Sequence, residues 1–88
     1  MVPISSLSRV EIYIKDGCAL CGELMRWLDE GGWRGQVSVH DVRGRPELFE
    51  RFRYDVPVVA VDGQVRLKLR FSQAELKDVL GRGLGQAQ

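Results

Sequence analysis

Two hydrophobic rhythms take turns along the chain, one of period two and one of three to four residues. Val10, Ile12 and Ile14 alternate with Glu11 and Tyr13, the signature of a strand. Asp16-Gly17 ends that run as a turn. From Cys18 onward, Leu20, Leu24, Trp27 and Leu28 recur at helical spacing, and Gly31-Gly32 stops the helix. Residues 36–42 are β-rich, with Val37 and Val39 on one face and Val42 at the end. Arg45-Pro46-Glu47 opens a second helix, with proline in the first position, where its missing N–H matters least. Leu48, Phe49 and Phe52 give that helix its apolar side. Val58-Val59-Ala60-Val61 is a continuous apolar run, as a strand buried on both faces requires. Asp62-Gly63 predicts a two-residue hairpin into a strand where Val65, Leu67 and Leu69 alternate with Arg66, Lys68 and Arg70. Ser72-Gln73-Ala74-Glu75 has the form of a capping box, and Leu76, Val79 and Leu80 form the stripe of a last helix.

The predicted order is therefore βαβαββα, an α/β fold. The first crossover should give a parallel pair and the hairpin an antiparallel one. A mixed four-stranded sheet with helices on both faces closes this arrangement. Glu11 fits poorly in a central strand, so it is expected near a strand end or beside a cation. The domain is expected over residues 9–82, with a loose lead-in at 1–8 and a frayed tail at 83–88.

Composition narrows the function classes. At 88 residues the chain makes one domain, and 44% apolar with 28% charged residues is ordinary for a globular protein. Thirteen basic residues against twelve acidic give a net charge of +1, which argues against nucleic acid as the main partner. Residues 1–8 lack the apolar core of a signal peptide, and no segment is suited to span a bilayer. The expectation is a cytoplasmic monomer that engages no membrane.

The chemistry of the chain is concentrated at its only two cysteines, in Lys15-Asp16-Gly17-Cys18-Ala19-Leu20-Cys21. A thiol at a helix N-terminus faces unsatisfied N–H groups and the positive end of the dipole. Both favour the thiolate, the nucleophile of disulfide exchange. The second sulfur sits one helical turn along, within reach of a disulfide. Three other readings stand beside a redox dithiol. A permanent staple across so short a loop gains little and does not suit a reducing compartment. Two buried structural cysteines would not need a turn and a strand-to-helix junction. Zinc needs about four ligands, and only His40 could add a third, so a metal or cluster site would need a second subunit or another kind of ligand.

A strand leading into Cys-x-x-Cys, the βαβαββα order, and Val56-Pro57 before the third strand together resemble the thioredoxin-fold redox proteins. Gly17-Cys18-Ala19-Leu20-Cys21 and Val56-Pro57-Val58-Val59 look specifically like the small bacterial glutaredoxin-like proteins, over roughly residues 9–81. The resemblance implies that Cys18 is the exposed nucleophile and Cys21 the buried resolving thiol. It also implies a cis bond before Pro57, with the Val56 backbone pairing to a bound peptide or glutathione. Lys15, three residues before the nucleophile, matches a basic position that meets a substrate carboxylate. Three departures stand out: Ala19-Leu20 replaces a proline-aromatic pair, and Asp55 replaces threonine. The paired glycines and acidic residue that hold the glutathione amino end have no counterpart near Arg70-Phe71-Ser72-Gln73.

The resulting expectation is a thiol–disulfide oxidoreductase with Cys18 and Cys21 as catalytic residues and Val56, Pro57 and Lys15 as substrate contacts. It calls for no metal and no organic cofactor, with glutathione as an optional co-substrate. Its partners would be a disulfide-bearing protein or glutathione, and an external thiol reductant. The rival is a non-enzymatic binding module, holding a metal or iron–sulfur cluster in a dimer or docking a partner. His40 reads as an edge-strand histidine, Trp27 and Trp33 as packing residues, and Trp33 as a lid on the first helix's end. Tyr13 reads as core packing. Arg66, Lys68 and Arg70 read as edge protection on one strand face, or as a docking face for an acidic partner.

Overall fold

The computed structural model describes residues 9–83, and its secondary structure follows the two hydrophobic rhythms closely. Strands β1 (Val10–Ile14), β2 (Ser38–Asp41), β3 (Val58–Val61) and β4 (Gln64–Lys68) alternate with helices α1 (Ala19–Glu30), α2 (Pro46–Phe52) and α3 (Gln73–Gly83) in the order βαβαββα. Of the expected loose ends, 1–8 and 83–88, all but Gly83 lie outside the described residues. Among the described residues, no helix is long and apolar enough to cross a membrane.

The sheet order is β2-β1-β3-β4, so β1 is central. It pairs parallel with β2, Tyr13 opposite His40, and antiparallel with β3, Ile12 opposite Val59. Period-two alternation then divides the side chains between two faces. On one, Val10, Ile12, Val59 and Val61 pack with Leu24 and Leu28 of α1 and Leu76 and Leu80 of α3. On the other, Val58 packs with Phe52 of α2, Val42, Val56 and Cys21, and Tyr13 lies against them. Helices thus cover both faces.

The helix ends show why the elements stop where they do. Gly32, at φ +74°, takes the left-handed conformation that closes α1. The Gly32 N–H donates to Asp29 O and the Trp33 N–H to Leu28 O at 2.9 Å, a Schellman motif. The Trp33 ring lies over Gly31, where an added Cβ would come within 2.5 Å of it. Ser72 and Glu75 form the expected capping box: Glu75 N–H donates to Ser72 Oγ and Ser72 N–H to Glu75 Oε1. Asp62 and Gly63 both have positive φ, as the type I′ hairpin demands.

Two expectations need correction. The second strand is shorter than residues 36–42, spanning Ser38–Asp41 between tight turns at Arg34–Gln36 and Val42–Gly44. Asp41 Oδ1 accepts the Arg43 N–H at 2.9 Å and turns the chain, which tucks Val42 into the core. The fourth strand does not alternate through Arg70. Val59 faces Leu67 while Ala60 faces Val65, so Arg66 is the extra residue of a bulge, and the strand ends at Lys68. Arg66, Lys68 and Arg70 therefore do not share one strand face.

Leu24 is fully buried between α1 and the sheet. Leu24→Ala is expected to destabilise the reduced protein by about 2–5 kcal/mol, from lost transfer energy and the cavity left behind. Urea unfolding checks this, and a loss below about 1 kcal/mol would show that α1 can collapse onto the gap.

Candidate functional site

β1 delivers the chain to the site at its C-terminal end. Lys15 O accepts the Cys18 N–H at 3.2 Å across Asp16-Gly17, and Gly17 supplies the positive φ such a turn needs. Cys18 remains extended, at φ −95° and ψ 115°, and is the N-cap of α1. Its Sγ accepts the Cys21 N–H at 3.2 Å, the bond that a serine or aspartate oxygen makes in an ordinary cap. Its carbonyl accepts from Gly22, the first helical bond. The cap therefore satisfies a free N–H with sulfur and sets the Cys18 thiol at the helix's positive end.

The two sulfurs sit in different surroundings. Cys18 is half-buried, whereas Cys21 is 3% exposed, one turn along and inside the second core with Phe52, Val56 and Val58. Burial, then the contact with the Cys18 thiol, pushes the Cys21 thiol up to about 12, against a smaller lowering by the Lys15 backbone. Cys21 is thus held as the neutral thiol.

The Val56–Pro57 loop, just before β3, supplies the other part of the site. The Val56–Pro57 bond is cis, and both residues are buried. Val56 packs in the same cluster as Cys21, with Cys18 against that cluster. The rear of this loop is held by one donor: the Leu69 N–H reaches Pro57 O at 3.0 Å and Asp55 O at 3.1 Å. Leu69 makes both contacts from a left-handed backbone, φ +65°, a clamp that the sequence reading misses. Only the presence of a strand end next to Pro57 hints at it.

Lys15 follows β1, and its Nζ donates to Arg53 O at 3.4 Å, tying the end of β1 to the end of α2. Arg53 lies over the rings of Phe49 and Tyr54, at 5.4 and 4.8 Å, and Tyr54 is 78% exposed.

His40 is an edge-strand residue, but not a purely exposed one. Its ring stacks on Tyr13 at 5.2 Å, and Tyr13 stacks on Phe52 at 4.5 Å. Glu11 Oε1 accepts the Tyr13 hydroxyl at 3.2 Å, and Glu11 Oε2 lies 3.4 Å from His40 Nε2. That nitrogen makes no hydrogen bond, so the last contact is an ion pair only when the imidazole is protonated. Glu11 in the central strand is thereby accounted for: a phenol and an imidazole on its own face receive it. Burial, then the Glu11 charge, raises the Tyr13 phenol. Among the described residues, no three histidine, cysteine or acidic side chains come together as a group able to hold a metal.

A β2-β1-β3-β4 sheet with a cysteine pair at a helix start and a cis-proline just before β3 is the architecture of a thioredoxin-fold protein. Residues 9–81 match the model of the glutaredoxin-like domain family (DUF836), and the chain belongs to that family. No curated protein sequence matches it. Among solved structures it is similar to the structural-genomics target XcR50 from X. campestris. That match has 22% identity and a TM-score of 0.67, covering 81% of this chain and 93% of the other. It is also similar to a mutant thioredoxin from Halobacterium salinarum NRC-1. There identity is 18% and the TM-score 0.61, covering 89% of this chain and 75% of that one. At these identities the two structures speak for the fold alone.

Proposed function

We propose that this chain is a thiol–disulfide oxidoreductase acting through Cys18 and Cys21. One observation carries the reading: a half-buried sulfur caps α1, and a second, buried sulfur lies one turn behind it with its proton held tightly. That is the asymmetry two-step exchange requires.

In the first step the Cys18 thiolate attacks one sulfur of a substrate disulfide. A Cys18–substrate bond forms, and the other sulfur leaves as a thiolate that takes a proton from water. In the second step Cys21 attacks Cys18 Sγ as its proton passes through water to the departing sulfur; the Cys18–Cys21 bond forms, the Cys18–substrate bond breaks, and the second substrate thiol leaves. The substrate gains two electrons and the dithiol loses two. An external thiol, glutathione or a dithiol, returns them.

The order of events is built into the Cys21 environment. Besides burial, what holds its proton is the Cys18 thiol and the Cys18 charge. Both vanish once Cys18 is bonded to substrate, so Cys21 becomes more acidic when it is needed. The Val56 backbone and Pro57 would align the substrate chain, and Lys15 would brace the loop through Arg53 as well as offer a charge to a carboxylate. A reducing, cytoplasmic setting suits such a cycle.

Equilibration in glutathione buffers of graded poise, followed by acid quench and mass analysis, tests this. The expected result is one two-electron transition to a species lighter by two hydrogens. A protein that stays dithiol at every poise, or collects only glutathione adducts on both cysteines, is not this enzyme.

A further inference from the structure

Three features meet at the end of β4, next to the cis-proline loop. Lys68 lies opposite Val58, one residue from Pro57. Leu69 clamps Asp55 and Pro57 through its N–H. Arg70 follows directly.

Leu69 is the most telling of the three. At φ +65° it holds a left-handed backbone that residues with a Cβ rarely adopt, and glycine would hold the clamp without that strain. Burial does not explain the side chain either, since Leu69 is 43% exposed. An exposed apolar side chain thus stands beside the cis-proline loop on a backbone that would suit glycine better.

The charges beside it have one sign. Lys68 and Arg70 are exposed, and among the described residues neither side chain makes a hydrogen bond or ion pair. Lys15 and Arg53 stand on the other side of the loop, linked by the 3.4 Å bond from Nζ to the Arg53 carbonyl. Asp16, in the turn before Cys18, is paired with Arg43 at 3.7 Å. The chain as a whole carries only +1, so this bias is local.

Resting on the redox reading above, we propose that Lys68, Leu69 and Arg70 form a selectivity edge for disulfides carried in acidic, extended segments with an apolar residue near the sulfur. Such a segment lies along the Val56–Pro57 loop. Its sulfur meets Cys18, its apolar side chain meets Leu69, and its carboxylates meet Lys68 and Arg70. The electrons come from the Cys18–Cys21 dithiol by the two-step exchange already written.

The test is single-turnover oxidation of the pre-reduced full chain by disulfide-linked peptides that differ only in glutamate, serine or lysine flanking the sulfur. At low ionic strength the acidic peptide is expected to react about tenfold faster than the basic one, the gap shrinking in high salt as the charges are screened. Exchanging both cations, Lys68→Glu with Arg70→Glu, should reverse the order. Leu69→Gly should slow every peptide without lowering the melting temperature, because glycine accepts that backbone. Equal rates for the three peptides, or an order indifferent to the charge exchange, would overturn the edge. If no peptide oxidises the protein, the redox reading fails, and binding of fluorescent serine-for-cysteine peptides to Cys18→Ser decides the edge separately. Acidic preference lost with the two cations supports it, and no preference overturns it.

Discussion

Cys18→Ser is expected to abolish exchange, a loss on the order of a thousandfold or more, because removing a nucleophile removes the pathway and not just one contact. Cys21→Ser should behave differently. Its Cys18 can still attack, but nothing inside the protein resolves the adduct, so a mixed disulfide with the substrate accumulates. The distinction rests on geometry: Cys18 is half-buried at the helix start, and Cys21 lies inside the second core. Non-reducing electrophoresis after incubation with a disulfide substrate separates the outcomes. An adduct on Cys18→Ser with none on Cys21→Ser would exchange the two roles. Equal loss without any adduct would favour a binding module over an enzyme.

The second large effect concerns alkali. The Cys21 thiol, moved from 9.0 to about 12 by burial and then by the Cys18 thiol, is thiolate about a thousandfold less often at neutral pH than an ordinary cysteine. Iodoacetamide applied to the native reduced protein should therefore label Cys18 and leave Cys21 nearly untouched, as peptide masses will show. Cys18→Ala should bring Cys21 partway back, since the neighbouring thiol is gone but the burial stays. The same shift is a stability statement. The folded state binds this proton more tightly than the unfolded one, so the contribution is complete below about pH 9 and drains away as pH rises towards about 12. Urea unfolding at neutral and alkaline pH should show a steep alkaline loss in the reduced protein and a shallower one in Cys21→Ser. Labelling of Cys21 with a midpoint near 9 would remove the argument.

Strand and helix order, both core faces and the cysteine pair were legible because each is written in local patterns. Ile12 and Leu24 reveal their faces by spacing, and Ser72 with Glu75 announces a helix start. What was not legible depends on pairings between distant residues. The bulge at Arg66 exists only relative to β3, so the alternation of Val65, Leu67 and Leu69 misleads about Leu69. Its left-handed backbone carries no residue signature, because the position holds leucine where glycine would be the usual clue. The bond from Lys15 to the Arg53 carbonyl could not be read from the sequence, because the two lie 38 residues apart. Glu11 looks misplaced because its companions, Tyr13 and His40, converge only when β1 and β2 align.

The two apolar clusters lie on opposite faces of one sheet, and Ile14 is the partly buried residue that packs against both. Both cysteines belong with the smaller one, beneath α2, while the larger one joins α1 and α3 to the sheet. The molecule is in this sense divided into a chassis and a workbench. A change at Val42, Phe52 or Val56 would alter the surroundings of both cysteines as well as the packing of the core, whereas a change in the larger cluster reaches the cysteines only through residues such as Ile14.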